Sequence, residues 1–189
     1  MDNVKKIVSF DFDDTLVFSP KEESGKIKWE QETGLKFPHD GWWSKPESLD
    51  MEIFDIPVNP WVYERYLEAC AEDDTLPIMA TGRLDKTWKG ERPGKRPDLT
   101  KQVLDILRSH NIDFGEHYYL CTGIGDTFLF KTKLYSKLIQ KYNPDTFVMY
   151  DDRQDHLKYF PMWAEDMDCR VEIIDVTKTD KTPIIINKK

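Results

Sequence analysis

The sequence predicts an α/β fold: an open, doubly wound, mostly parallel sheet of five strands. Three observations lead there. Five short apolar runs occur at residues 7–10, 76–80, 118–121, 147–150 and 171–174. Four of them are continuous rather than alternating, as in parallel strands covered on both faces. Between them apolar residues recur at helical spacing, and strands alternating with helices give a Rossmann-like architecture.

The elements follow in order. After the first strand, Asn59 and Pro60 form an N-cap and first-turn pair ahead of Val62, Tyr66, Ala69 and Cys70, a first helix. Leu99, Val103, Ile106 and Leu107 mark a second helix, and Leu134, Leu138, Ile139 and Tyr142 a third. Leu157 and Phe160 mark a fourth, which Pro161 is expected to kink or end. Asp11 and Thr81 are 70 residues apart, whereas a strand, crossover and strand need only about 30. The surplus falls at residues 17–57, an irregular stretch with several Pro and Gly residues plus Trp29, Phe37, Trp42 and Trp43. It is expected to form a small cap or flap over the carboxyl edge of the sheet. Residues 176–189 read as a basic tail, in which residues 184–186 have the composition of an extra edge strand.

At 189 residues the chain fits a single domain, residues 1–189, with that insertion. Its 33% charged and 39% hydrophobic residues exclude a disordered chain. No apolar run reaches the roughly 20 residues of a membrane span, and the start, MDNVKK, lacks the apolar stretch of a secretory signal. A cytoplasmic protein with no membrane partner is expected. Cys70, Cys121 and Cys169 lie far apart without a CxxC pair, which argues against a zinc knuckle or a disulfide framework. The net charge of −8 disfavours indiscriminate nucleic-acid binding, yet residues 83–96 carry +4 and the remainder −12. This asymmetry points to one anion-facing surface on an acidic body.

With 22 Asp residues in the chain, an isolated Asp pair means little. Asp11, Asp13 and Asp14 differ because they follow the apolar run IVSF, as Asp151 and Asp152 follow FVMY. Ligands of open α/β sheets bind beyond the carboxyl ends of the strands, so neighbouring strands would bring these acids to one point. Hard oxygen donors from a few carboxylates, with room for water and a substrate phosphate, suit Mg2+ better than a calcium cage. A third strand runs into Thr81, Gly82 and Arg83, which offer a hydroxyl, close backbone approach and a cation. Lys131 stands ahead of the third helix, where a cation beside free N–H groups would hold phosphate, with Lys133 as its rival.

Taken together, strand-Asp-x-Asp-x-Thr, strand-Thr-Gly-Arg, a Lys at a helix and strand-Asp-Asp, in that order from Asp11 to Asp152, resemble the haloacid dehalogenase (HAD) superfamily of aspartate-nucleophile phosphohydrolases. GWWSKP at residues 41–46, Phe130 and Lys131, and YDDRQDH at residues 150–156 are similar to the Swiss Army Knife RNA repair-like branch. The resemblance implies Asp11 as nucleophile and Asp13 as general acid and then base. It implies a Mg2+ shell from Asp11, the Asp13 carbonyl, Asp151 and Asp152, with Thr81 and Lys131 on the phosphoryl oxygens. Asp14 stands where the family often has Gly, and Thr15 is expected to stabilise the turn. Arg83 would either clamp a substrate phosphate or pair with an acid. Arg153 and His156 would lie near the site, His156 as a structural hydrogen-bond partner rather than a base.

The aromatic residues have two readings. Trp29, Trp42 and Trp43 would stack nucleobases at the site mouth or form the private core of the insertion. Trp88, among Lys86, Lys89 and Arg92, has the mixture used by a groove for single-stranded nucleic acid, or belongs to a solvated basic loop. The leading functional expectation is a Mg2+-dependent phosphatase acting on the terminal phosphate of DNA or RNA, a 3′-phosphate by analogy alone. A small-molecule phosphatase such as a nucleotidase is the second. A catalytically idle phosphate-binding module is the third, and the intact Asp11 and Asp13 speak against it.

Overall fold

In the computed structural model, which describes residues 4–85, 98–122 and 126–187, the first apolar run forms β1 (Lys6–Phe10) in the interior of the sheet. The other strands are β2 (Thr75–Leu84), β3 (Tyr118–Cys121), β4 (Thr146–Asp151), β5 (Arg170–Asp175) and β6 (Ile184–Ile186), in the spatial order β3-β2-β1-β4-β5-β6. The first five are mutually parallel and β6 runs antiparallel to β5. The sheet therefore has six strands rather than five, the sixth being the edge segment within the basic tail. Because β1 has β2 on one side and β4 on the other, the winding reverses between β1 and β4. Their carboxyl ends form the switch-point crevice where open α/β sheets bind ligands.

Side chains alternate across the strands, so each face receives its own core. Val8 and Phe10 pack on one face with α2 (Pro60–Ala71) and α3 (Thr100–Ser109), through Val62, Tyr66, Val103 and Ile106. Ile7 packs on the other face with α4 (Thr127–Tyr142), α5 (Gln154–Leu157) and α6 (Phe160–Ala164), through Tyr135, Ile139, Leu157 and Phe160. The fourth predicted helix is thus two short ones. Pro161 does not end a helix but lies in the first turn of α6, where its missing N–H costs nothing. No helix among the described residues is long and apolar enough to cross a membrane.

The insertion is more regular than its sequence suggests. It contains the helix α1 (Glu22–Thr33) and a short 3-10 turn at Pro46–Leu49. Only Gly25 and Trp29 of α1 are buried, so the helix has no apolar stripe for a periodicity reading to detect. Trp29, Phe37, Trp42, Leu49 and Phe54 belong to the same core as Val8 and Phe10, which seats the insertion on the α2/α3 face. Trp42 is its centre: the indole N–H donates to the Pro20 carbonyl at 2.7 Å, and the ring lies edge-on to Phe54.

Gly25 lets α1 lie flat against that indole. A Cβ there would meet Cζ2, Cη2 and Cε2 of Trp42, all at or inside 3.0 Å. Gly25→Ala is expected to lower unfolding free energy by about 1–3 kcal/mol, overpacking outweighing the gain in helix propensity. Urea denaturation measures this, and a variant as stable as the parent would remove Trp42 as the contact that positions α1.

Candidate active site

The parallel pairing of β1 with β4 aligns Phe10 with Tyr150, and one step further it brings Asp11 beside Asp151. Asp11 N–H donates to the Tyr150 carbonyl at 3.1 Å, extending the ladder into the site. From the α4 side, Lys131 sends its ammonium between the two acids, 2.6 Å from Asp151 Oδ2 and 3.1 Å from Asp11 Oδ1. All three side chains are buried, Lys131 completely. Lys131 is the fifth residue of α4, not a residue ahead of it, so it meets the acids through its own ammonium and not beside the helix's free N–H groups. Lys133 is exposed, and of the two lysines Lys131 is the one that meets the acids.

Asp152 completes the group: Asp11, Asp151 and Asp152 each offer a carboxylate oxygen, and these lie within 4.8 Å of one another. One ammonium faces three carboxylates. Burial pushes the Asp11 carboxyl above its usual range; Lys131 opposes the shift and Asp151 and Asp152 reinforce it. Burial, aided by Asp151 and Asp14, raises Asp152 to about 7. Asp11 Oδ1 and Asp152 Oδ1 accept no hydrogen bond among the described residues. Asp152 Oδ1 is without a partner and Asp11 Oδ1 meets only the Lys131 ammonium, and such oxygens among excess negative charge fit a hard divalent cation, for which these three acids are suitable donors.

Asp13 turns elsewhere. Its Oδ2 accepts from Arg83 Nε at 2.9 Å, and its Oδ1 accepts from Arg83 Nη2 at 2.7 Å and from Ser19 Oγ at 2.5 Å. Arg83 Nη1 reaches the insertion, donating to the Trp43 carbonyl and to Ser48 Oγ. Of the two roles open to Arg83, its side chain has taken the pairing with an acid: four of its five N–H groups are committed. A clamp on substrate phosphate would need those bonds to break. The Asp13 carboxylate accordingly stands outside the group of three acids expected to bind metal.

The Thr-Gly-Arg stretch is not a turn after the strand but part of β2, which continues to Leu84 with a register shift between Thr81 and Leu84. The irregularity swings Arg83 inward. Thr81 is buried, and its Oγ1 accepts from Arg83 N–H at 3.2 Å. Gly82 is exposed and lets the start of α4 approach, since a Cβ would lie 2.9 Å from Thr127 Oγ1. Asp14 adopts φ 53°, the left-handed region where Gly is at home and Asp is tolerated, and its carboxylate pairs with Lys21. The turn is closed by backbone bonds from Leu16 N to Asp11 O and from Val17 N to Phe12 O; the Thr15 hydroxyl has no partner among the described residues.

Asp11, Asp13, Asp152, Arg83, Arg153 and Trp43 border a cavity of about 860 Å3. Arg153 is held by Asp155 through Nη2 at 2.6 Å, and its N–H donates to Asp151 Oδ1. His156 is buried, and desolvation first and Arg153 second lower its pKa. Its ring packs against Phe128 and Phe160, and its Nδ1 has no partner among the described residues. The three tryptophans of the insertion part company: Trp29 and Trp42 are core, whereas Trp43 borders the cavity. Lys86, Trp88, Lys89 and Arg92 lie outside the described residues. Sequence reasoning missed Ser19, Ser48 and Thr127, small hydroxyl residues whose sequence surroundings carry no distinguishing pattern.

A doubly wound sheet with Asp11, Asp151 and a buried lysine at its switch point has the architecture of a HAD domain. A family model described as HAD domain family 1 in Swiss Army Knife RNA repair proteins matches residues 32–186, and the chain belongs to that family. The match begins beyond Asp11 and Asp13, so their assignment rests on the geometry above. Comparisons with curated proteins and with solved structures give no match.

Two outcomes test this electrostatic account. Asp152, at about 7 in the folded chain against an ordinary 3.8, keeps a proton that the unfolded chain has lost over that interval, so its contribution destabilises the fold as pH rises from about 4 to 7. Asp11 acts in the same direction. Melting temperature in chelator is therefore expected to decline across that range relative to melting temperature in Mg2+; parallel curves would show that the acids bind no cation. Lys131→Met leaves two buried acids uncompensated and is expected to cost about 3–5 kcal/mol at neutral pH, less in acid, by denaturant titration. A loss independent of pH would assign Lys131 a packing role alone.

Proposed function

We propose that the chain is a Mg2+-dependent phosphatase that removes a terminal phosphate, a 3′-phosphate in the leading reading, from nucleic acid. The observation that carries the reading is Asp11: a buried carboxylate whose side-chain contact is the Lys131 ammonium, grouped with Asp151 and Asp152 and bordering an open cavity. The family's description as a domain of RNA repair proteins and the +4 charge of residues 83–96 support the substrate class.

Asp11, Asp151, Asp152 and the Asp13 carbonyl would hold the cation, which supplies charge that lets Asp11 ionise and draws negative charge from the phosphoryl group. The Asp11 oxygen attacks phosphorus in line, the P–O ester bond breaks, and an aspartyl-phosphate forms. Lys131 and the Thr81 hydroxyl meet the phosphoryl oxygens. Asp13 gives a proton to the departing oxygen, then takes one from the water that hydrolyses the aspartyl-phosphate to inorganic phosphate. Arg83 and Ser19 fill three of the roughly four acceptor positions of that carboxylate and leave one on Oδ2 for the proton.

A second reading, a nucleotidase, is favoured by one feature: Arg83 ties the insertion to Asp13, which would enclose a compact substrate. Wild type and Asp11→Asn, assayed with Mg2+ on 3′- and 5′-phosphorylated oligonucleotides, mononucleotides and sugar phosphates, separate the two. Phosphate release from oligonucleotides is expected, abolished by chelator and reduced about a thousandfold or more in Asp11→Asn. Equal turnover of mononucleotides would favour the nucleotidase, and an active Asp11→Asn would overturn the nucleophile.

A further inference from the structure

We propose that Trp43 is the residue that reads the nucleobase next to the scissile phosphate, a stacking platform that makes the site select base-bearing ends. The inference rests on the nucleic-acid reading above and adds to it a residue and a chemical criterion. Of the insertion's three tryptophans, Trp42 is 1% exposed, Trp29 9% and Trp43 38%, and Trp43 alone of the three borders the cavity that contains Asp11 and Asp13. A half-open indole in a charged cavity is not accounted for by the core of the insertion, which Trp29, Phe37, Trp42 and Phe54 complete without it.

Trp43 is fixed at both ends of its residue. Its carbonyl accepts from Arg83 Nη1, and the Arg83 guanidinium lies over its ring, 5.3 Å from the centre. A cation on one face of an indole leaves the other for a planar partner, and an arginine that is itself locked to Asp13 and Ser48 gives the ring a rigid support. Through that arginine the ring is also tied to the chemistry. Asp13 Oδ2 is 2.9 Å from Arg83 Nε and the ring centre 5.3 Å from the guanidinium carbon, so the indole stands within about 10 Å of the acid. One nucleoside is long enough to bridge a separation of that order, with its ester oxygen at Asp13, the acid that protonates it, and its base on Trp43. Lys45, two residues on, also borders the cavity and offers a cation for the next phosphate of a strand.

The test is a ratio of affinities, independent of turnover. In the Asp11→Asn background with Mg2+, calorimetry compares a 3′-phosphorylated oligonucleotide with the same strand made abasic at its last nucleotide. The base-bearing strand is expected to bind about 5- to 100-fold more tightly, the range of one base stacked on an aromatic ring. Trp43→Ala should bring the ratio towards one, and Trp43→Phe should keep most of it. A ratio near one with Trp43 in place, or one that survives Trp43→Ala, overturns the inference. Failure of the wild type to release phosphate from either strand while it hydrolyses glycerol phosphate would instead overturn the nucleic-acid reading, and the affinity ratio would still report on Trp43.

Discussion

One buried ammonium governs this structure. Lys131 is enclosed between Asp11 and Asp151, with Asp152 within reach of the same charge. An unpaired ion in such a position would be prohibitively costly, so the lysine and the acids require one another. That requirement dictates the architecture around it. β1 and β4 must be neighbours in register to present Asp11 and Asp151 side by side, and α4 must cover the face from which its fifth residue reaches them. The Ser9 hydroxyl, donating to Tyr135 on the same helix, fixes the approach of α4 to β1 one layer below. The compensation is nevertheless incomplete, because one cation serves three acids, and the deficit makes the site receptive to a further positive charge.

A second buried cation answers a different problem, that of holding the insertion over the site. Arg83 reaches Asp13 with one edge of its guanidinium and the insertion with the other, through the Trp43 carbonyl and Ser48. A lysine could not make this connection, since only a planar fork binds a carboxylate with two parallel bonds while presenting further N–H groups sideways. The position of the insertion and the orientation of Asp13 are therefore set by the same side chain. Movement of the insertion would disturb the carboxylate, and a phosphate that draws Arg83 away would loosen the insertion.

The sequence disclosed the sheet because parallel strands are buried on both faces and write themselves as unbroken apolar runs. The meeting of Asp11 with Asp151 followed from the position of each at the end of such a run. What was hidden depended on distances that periodicity does not encode. The helix α1 was illegible because its burial rests on one tryptophan and one glycine. The inward turn of Arg83 depends on a strand irregularity, and nothing in Thr-Gly-Arg distinguishes it from a loop. The separate fates of Trp42 and Trp43, adjacent in sequence, arise in the turn that Lys45 N–H closes on the Trp42 carbonyl, an irregular stretch with no periodicity to say which ring enters the core.

Asp11, Asp13 and Asp14 show how closely spaced like charges can coexist. Each has been given its own cation from a different part of the chain: Lys131 of α4 for Asp11, Arg83 of β2 for Asp13, and Lys21 at the head of α1 for Asp14. The three partners approach from separate directions, and the backbone diverges to meet them by leaving the extended conformation after Asp11 and passing through a left-handed residue at Asp14. A glycine at position 14 would satisfy the turn but not bind Lys21. With Asp there, the start of the insertion is tied to the active-site turn, while the negative charge of Asp14 also raises Asp152. The third acid thus has both a mechanical and an electrostatic effect: it anchors the insertion next to the site and adds to the negative charge that a metal ion would relieve.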